Sequence, residues 1–151
     1  MQIHKNGSRQ LTANFSEMEF YSSSSDAPES HYQSDESIEA GQILRDWAGV
    51  PVTVNSSYRT KTHNDAVGSS DRSQHRISTA VDYDMEQKRL EEAKENIRQR
   101  GDLFRKLRAV GINGFGLYKG FIHLDSRPEG GKQKDSFGGT YAYWDNDQKK
   151  K

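Results

Sequence analysis

Cysteine is absent from this chain of 151 residues. That excludes disulfides and thiolate metal sites, so any metal must be held by His, Asp or Glu. It does not assign a redox compartment, because a chain without thiols suits either. Long apolar runs are also missing. No stretch approaches the ~20 apolar residues that span a bilayer, and residues 1–7 lack the apolar segment of a signal peptide. Neither sign of charge dominates. Lys and Arg number 22, as do Asp and Glu, which removes the general electrostatic case for nucleic acid or an anionic membrane. Hydrophobic residues make up only 31% of the chain and charged residues 29%. The core must therefore be small, with long irregular surface segments. We expect one soluble, monomeric domain over residues 1–151 with no nucleic-acid partner and no membrane insertion. Lys149, Lys150 and Lys151 read as a frayed basic end. Action outside the cytoplasm would need another export route, or a signal already removed.

What is present divides into short elements. Residues 1–14 are polar and without periodicity. Residues 15–20 suggest one helical turn capped by Ser16, with Phe15, Met18 and Phe20 facing inward. The Ser-rich residues 21–34 read as loop. A helix then starts at Ser34 or Asp35, carries Ile38, Ile43, Leu44 and Trp47 on one stripe, and ends at Gly49. Residues 51–55 alternate and are β-branched, the pattern of a strand. Residues 56–78 have almost no apolar side chain and read as one long loop, of the kind that tends to carry function. A second strand is expected over 79–85 and a helix over 86–99. Past Gly101, a further helical turn or two carries Leu103, Phe104, Leu107 and Val110. Residues 114–118 and 121–125 suggest a hairpin turning at Lys119-Gly120. Residues 127–140 read as loop, and 141–144 as a last strand or edge segment.

Two segments hold the chemistry: Ser73-Gln74-His75 followed by Ala80-Val81-Asp82, and Phe121-Ile122-His123-Leu124-Asp125. Strand alternation puts Phe121, His123 and Asp125 on one face, and Ala80, Asp82 and Asp84 on one face of the earlier strand. If the two strands are neighbours, His123 and Asp82 converge. His75 lies seven residues before Asp82. On one helix that would be ~10 Å along the axis, too far for ligands of one ion, so His75 must sit on a loop folded back over the strand. Two imidazoles and one carboxylate would leave a corner of a tetrahedral zinc site open, the mark of a catalytic rather than a structural zinc. A lone histidine on a strand face is more often simply a hydrogen-bonding residue.

Further segments occur in order along the chain: Ser57-Tyr58-Arg59-Thr60, His63-Asn64, Val67-Gly68, then the two segments above with Gly114-Phe115-Gly116-Leu117-Tyr118 between them and Ser126-Arg127 after. This series resembles the zinc D-Ala-D-Ala carboxypeptidase and endopeptidase family, which includes hedgehog-type domains, and within it the small bacterial and phage peptidases. The resemblance covers about residues 14–127. It implies an α+β fold, a small, mainly antiparallel sheet with helices packed on one side. It implies Zn2+ held by His75, Asp82 and His123. It also implies Arg59 near the metal, binding the substrate carbonyl or a terminal carboxylate, with Ser73 and Tyr118 helping to place substrate. The implied substrate is a peptidoglycan stem peptide, cut at or beside a D-amino acid. The implied setting is the cell wall, reached through the periplasm or by phage delivery, or the cytoplasm before release.

The general base is the open position. Several branches of that family carry Glu or Asp three residues before the last His ligand, where this chain has Gly120. Asp125, on the same strand face as His123, is the favoured replacement. It would serve either as the base or as the partner that orients a ligand imidazole. Asp84 is the alternative by the same argument from Asp82. Two glycines of the family pattern are Ser57 and Ser78 here, which matters where the backbone needs a positive φ. The competing function is a zinc-binding structural or wall-binding module of the same fold without catalysis. A weaker third is a phage tail or spike component using the same activity locally.

Overall fold

The computed structural model describes residues 1–70, 73–135 and 138–147. The elements in chain order are β1 (Gln2–His4), α1 (Glu17–Phe20), β2 (Ser30–Tyr32), α2 (Asp35–Ala48), β3 (Thr53–Ser56), α3 (Lys61–Ala66), β4 (Ala80–Asp84), α4 (Gln87–Arg98), α5 (Asp102–Ala109), β5 (Gly114–Leu117), β6 (Ile122–Asp125), β7 (Gln133–Lys134) and β8 (Thr140–Asp145). β1 and β2 form a separate antiparallel pair, and the other six strands form one sheet in the order β3-β4-β6-β5-β8-β7. Every neighbour pair in that sheet is antiparallel except β5 with β8, which is parallel. The fold is α+β, as expected.

The pleat sorts the sheet into two faces. Val81 and Tyr83 of β4, Phe115 and Leu117 of β5, and Ile122 and Leu124 of β6 are buried in the core with Ile38 and Leu44 of α2, Leu90 and Ile97 of α4, and Leu103 and Leu107 of α5. Burying large aliphatic and aromatic side chains stabilises by about 1.5–3 kcal/mol each, so this face anchors the sheet. The opposite face carries Asp82, His123 and Asp125 from the central strands.

Helix α2 follows the reading closely. The Ser34 hydroxyl accepts from the Ser37 N–H at 3.3 Å and Gly49 closes the far end. Four expectations need correction. Met18 is 44% exposed, while Glu17 is buried with Phe15 and Phe20. The cause is electrostatic: the Glu17 carboxylate accepts from the His4 N–H at 2.7 Å and from Arg9 Nε at 3.0 Å, which draws it inward. Residues 1–14 and 21–34 are not plain loop, because β1 pairs with β2, Ile3 opposite His31. The long loop of residues 56–78 contains α3, whose Thr60 hydroxyl accepts from the His63 N–H at 3.3 Å. Only Asn64 of that helix is buried, so it shows no apolar stripe. Finally, the loop expected over residues 127–140 contains β7 and the first residue of β8, while residues 141–144 form the expected last strand as part of β8, between β5 and β7. The Lys149-Lys150-Lys151 end lies outside the described residues.

Candidate metal centre

In the β4–β6 register Asp82 stands directly opposite His123. Both project from the face away from the core. His123 Nδ1 lies 2.9 Å from Asp82 Oδ1. His75 comes from the turn before β4, and its Nε2 lies 3.2 Å from the same oxygen. The turn is fixed by the backbone: the Arg59 N–H donates to the His75 carbonyl at 3.0 Å. The candidate donor atoms of the three residues lie within 4.8 Å of one another, and all three side chains are buried.

The outer nitrogen of each ring sets its tautomer. His75 Nδ1 lies 2.7 Å from the Ser57 carbonyl, which can only accept, so that nitrogen carries the proton. His123 Nε2 lies 2.7 Å from Asp125 Oδ2 and donates likewise. In the neutral rings both inner nitrogens then present lone pairs to an acceptor-only carboxylate. Such a trio needs positive charge at its centre, a proton or a metal cation. The ionisation behaviour agrees. Burial disfavours charge on Asp82, but hydrogen bonds from His123 and His75 outweigh it and hold the carboxyl well below its usual range. Burial likewise disfavours the His123 imidazolium, but Asp125 and Asp82 outweigh it and raise its pKa to about 9. Two imidazoles and a carboxylate with orienting outer bonds fit a zinc site with an open corner.

The Peptidase M15 family model matches residues 13–125. The chain belongs to the peptidase M15 family. A search among curated proteins finds no match. M15 peptidases are zinc-dependent metallopeptidases, and His75, Asp82 and His123 form a buried group of a kind that can hold a metal ion.

The cluster opens into a cavity of about 490 Å³, whose wall includes Arg59, Ser73, Tyr118 and Phe121. Arg59 Nη2 lies 3.5 Å from Asp82 Oδ2 and its Nε donates to Ser56 Oγ at 3.1 Å, so its guanidinium leans on the trio. Ser73 Oγ accepts from the His75 N–H at 3.2 Å. Asp125 does not line the cavity. It is 0% exposed, and besides His123 it accepts from Arg127 Nε at 2.8 Å and Nη2 at 2.7 Å. Burial opposes its charge, but Arg127 and His123 prevail and lower its pKa to about 2. Asp84 is also outside the wall, with Oδ1 accepting from the Met85 N–H at 2.7 Å. Gly120 lies at the exposed β5–β6 turn with open space where a side chain would begin.

Two wall residues of this M15 chain escaped the sequence reading of roles: Arg127 and Trp144. Arg127 lies over the Trp144 ring at 5.2 Å from its centroid, and Trp144 Nε1 donates to the Tyr118 hydroxyl at 2.8 Å. The signal was the spacing Gly114-Phe115-Gly116. A Cβ on Gly114 would come within 2.2 Å of the Asp125 carboxylate, and one on Gly116 within 2.5 Å of the Trp144 indole. Alternate glycines on one face of a strand mark side chains from the neighbouring strands packed against its backbone.

Proposed function

We propose that the protein is a zinc metallopeptidase of peptidoglycan stem peptides, cutting at or beside a D-amino acid. The observation that carries this reading is the buried trio of His75, Asp82 and His123, with its candidate donor atoms within 4.8 Å of one another, opening into a cavity that holds Arg59. Zinc bound there supplies Lewis acidity to a carbonyl and to water at one point. The Ser57 carbonyl and the Asp125 carboxylate fix the two rings, so the ligand atoms need no reorganisation on binding. Arg59 offers planar donors to the oxygen of the scissile carbonyl as charge develops on it. Ser73 and Tyr118 line the path along which a peptide reaches the trio. Asp125 acts through His123 as its orienting partner rather than as the base, since it does not line the cavity and both of its oxygens are already engaged by His123 and Arg127.

One observation favours a second reading, a zinc-holding or wall-binding module without catalysis. Among the described residues, the cavity wall has no carboxylate besides the ligand Asp82, and Gly120 leaves the family's acidic position bare. The two readings separate by mass spectrometry of muropeptides incubated with zinc-loaded protein, with and without chelator. Stem peptides shortened or unlinked only without chelator support the peptidase. Unchanged muropeptides beside a protein carrying one zinc per chain overturn it in favour of the second.

A further inference from the structure

Among the described residues, the cavity wall carries two guanidinium groups, on opposite flanks. Arg59 follows β3, beyond β4 in the sheet, and leans on Asp82. Arg127 follows β6 and leans the other way, over Trp144 of β8. They are not equivalent. Arg59 approaches a metal ligand directly, where a carbonyl under attack would sit. Arg127 is held one step back, gripped along its Nε–Nη2 edge by Asp125, which in turn holds His123.

That grip leaves donors over. A guanidinium has five N–H groups, and Asp125 engages one edge only. Arg127 Nη1 has no hydrogen-bond partner among the described residues, and the side chain is 27% exposed into the cavity. Trp144 beneath and Asp125 behind restrict the group, so little rotamer freedom remains to be lost on binding. The indole is itself fixed by Tyr118, which stacks on Phe121 at 4.5 Å between centroids. Formal charge points the same way. The wall residues described carry two arginines against one ionised carboxylate, Asp82, and a bound divalent cation makes the cavity more positive still. A fixed, positively charged fork with free donors suits a carboxylate.

We propose that Arg127, braced by Asp125 and Trp144, is a carboxylate-recognition residue of this cavity and selects substrates with a free carboxylate adjoining the bond at the metal. This deepens the peptidase reading and rests on it for the word substrate, but it concerns binding and is measurable without turnover. Both Arg127 and Trp144 lie past the segment matched by the family model, residues 13–125.

The test uses zinc-loaded full-length protein in a Trp47→Phe background. Trp47 lies on α2 away from the cavity, and its removal leaves Trp144 as the reporter. Stopped-flow fluorescence titrations, read before turnover, compare N-acetyl-D-alanyl-D-alanine with its C-terminal amide. The expected result is at least about tenfold tighter binding of the acid, the scale of a charge-assisted pair. In Arg127→Gln that ratio falls to about twofold or less, while Arg59→Gln keeps it. Should Arg127→Gln fail to fold, Arg127→Lys keeps the charge but not the fork, and its ratio is expected to drop at least threefold with zinc content still one per chain. Equal or undetectable binding of acid and amide by the parent protein overturns the proposal. So does a ratio that survives in Arg127→Gln, which would assign the preference to the metal or to Arg59. Discrimination without cleavage would sink the peptidase reading alone, and cleavage without discrimination this proposal alone.

Discussion

At the scale of single residues, Asp125 is the most connected group of the centre. It holds His123 by Nε2 and Arg127 by two nitrogens, from a position without solvent. An amide in its place turns one acceptor into a donor that faces N–H groups. We expect Asp125→Asn to fold yet bind zinc about 10- to 100-fold more weakly, as read by competition with a coloured chelator. If Asp125 worked as the base instead, activity would collapse while zinc affinity stayed unchanged. Ser78 is the other telling residue. Its φ is +64°, the left-handed region that glycine tolerates and that costs other residues roughly 1–2 kcal/mol. The family's glycine there has a backbone reason, and Ser78 holds the conformation with its carbonyl accepting from the Ser34 N–H at 2.9 Å. Ser57, the other departure, has no positive φ, and its hydroxyl donates to the Phe20 carbonyl at 2.7 Å. Ser78→Gly should therefore stabilise the protein by about 0.5–1 kcal/mol, the relief of strain being partly offset by the added freedom of glycine in the unfolded chain. Urea denaturation reads this directly, and a destabilised variant would deny the strain.

At the scale of elements, the site depends on where β8 is docked. Lys94 of α4 is fully buried, and its Nζ donates to the carbonyls of Tyr118 at 3.1 Å and Lys119 at 3.3 Å and to Asp147 at 2.6 Å. Arg98 of the same helix pairs with Asp145 at 2.7 Å. One helix thus fastens both the turn that carries Tyr118 and the end of the strand that carries Trp144. Lys94→Met keeps the length and removes the charge. We expect a loss of about 3 kcal/mol, the scale of breaking a buried pair from one side, and a red-shifted Trp144 emission in the Trp47→Phe background. A variant of parent stability would show that the network is idle. This docking also marks the limit of what the sequence could convey. The strand alternation around Asp82 and His123, the caps of α2 and the β5–β6 hairpin were legible because each is written in local periodicity or turn chemistry. The pairing of β1 with β2 and the parallel seat of β8 were not, because each depends on backbone hydrogen bonds between distant segments, and α3 was not because it buries only Asn64 and so shows no apolar stripe. The Arg127 side chain was quoted within a motif, but its role needed Trp144, which arrives from another strand.

At the scale of the whole molecule, the centre is built on a frame that stands without it. Asp82 and His123 come from β4 and β6, adjacent strands in the interior of the six-stranded sheet, whose reverse face packs on α2, α4 and α5 through the core. Only His75 comes from the irregular stretch between α3 and β4. Removing a metal ion then leaves a carboxylate and two imidazoles facing one another, a conflict that protons relieve, as the raised pKa of His123 indicates. The fold should survive chelation. With free zinc at 100 times its dissociation constant, binding contributes about 2.7 kcal/mol, so chelation should lower the melting temperature by about 5–10 °C in a domain of this size. The change should be uneven. Amide exchange should accelerate across residues 57–70 and 73–79, which reach the centre through His75 and its bond to the Ser57 carbonyl, while β4, β5 and β6 keep their protection. Loss of all protection on chelation would place the protein with domains that fold only around their metal, and the apolar face of the sheet would then be insufficient to hold the strands together.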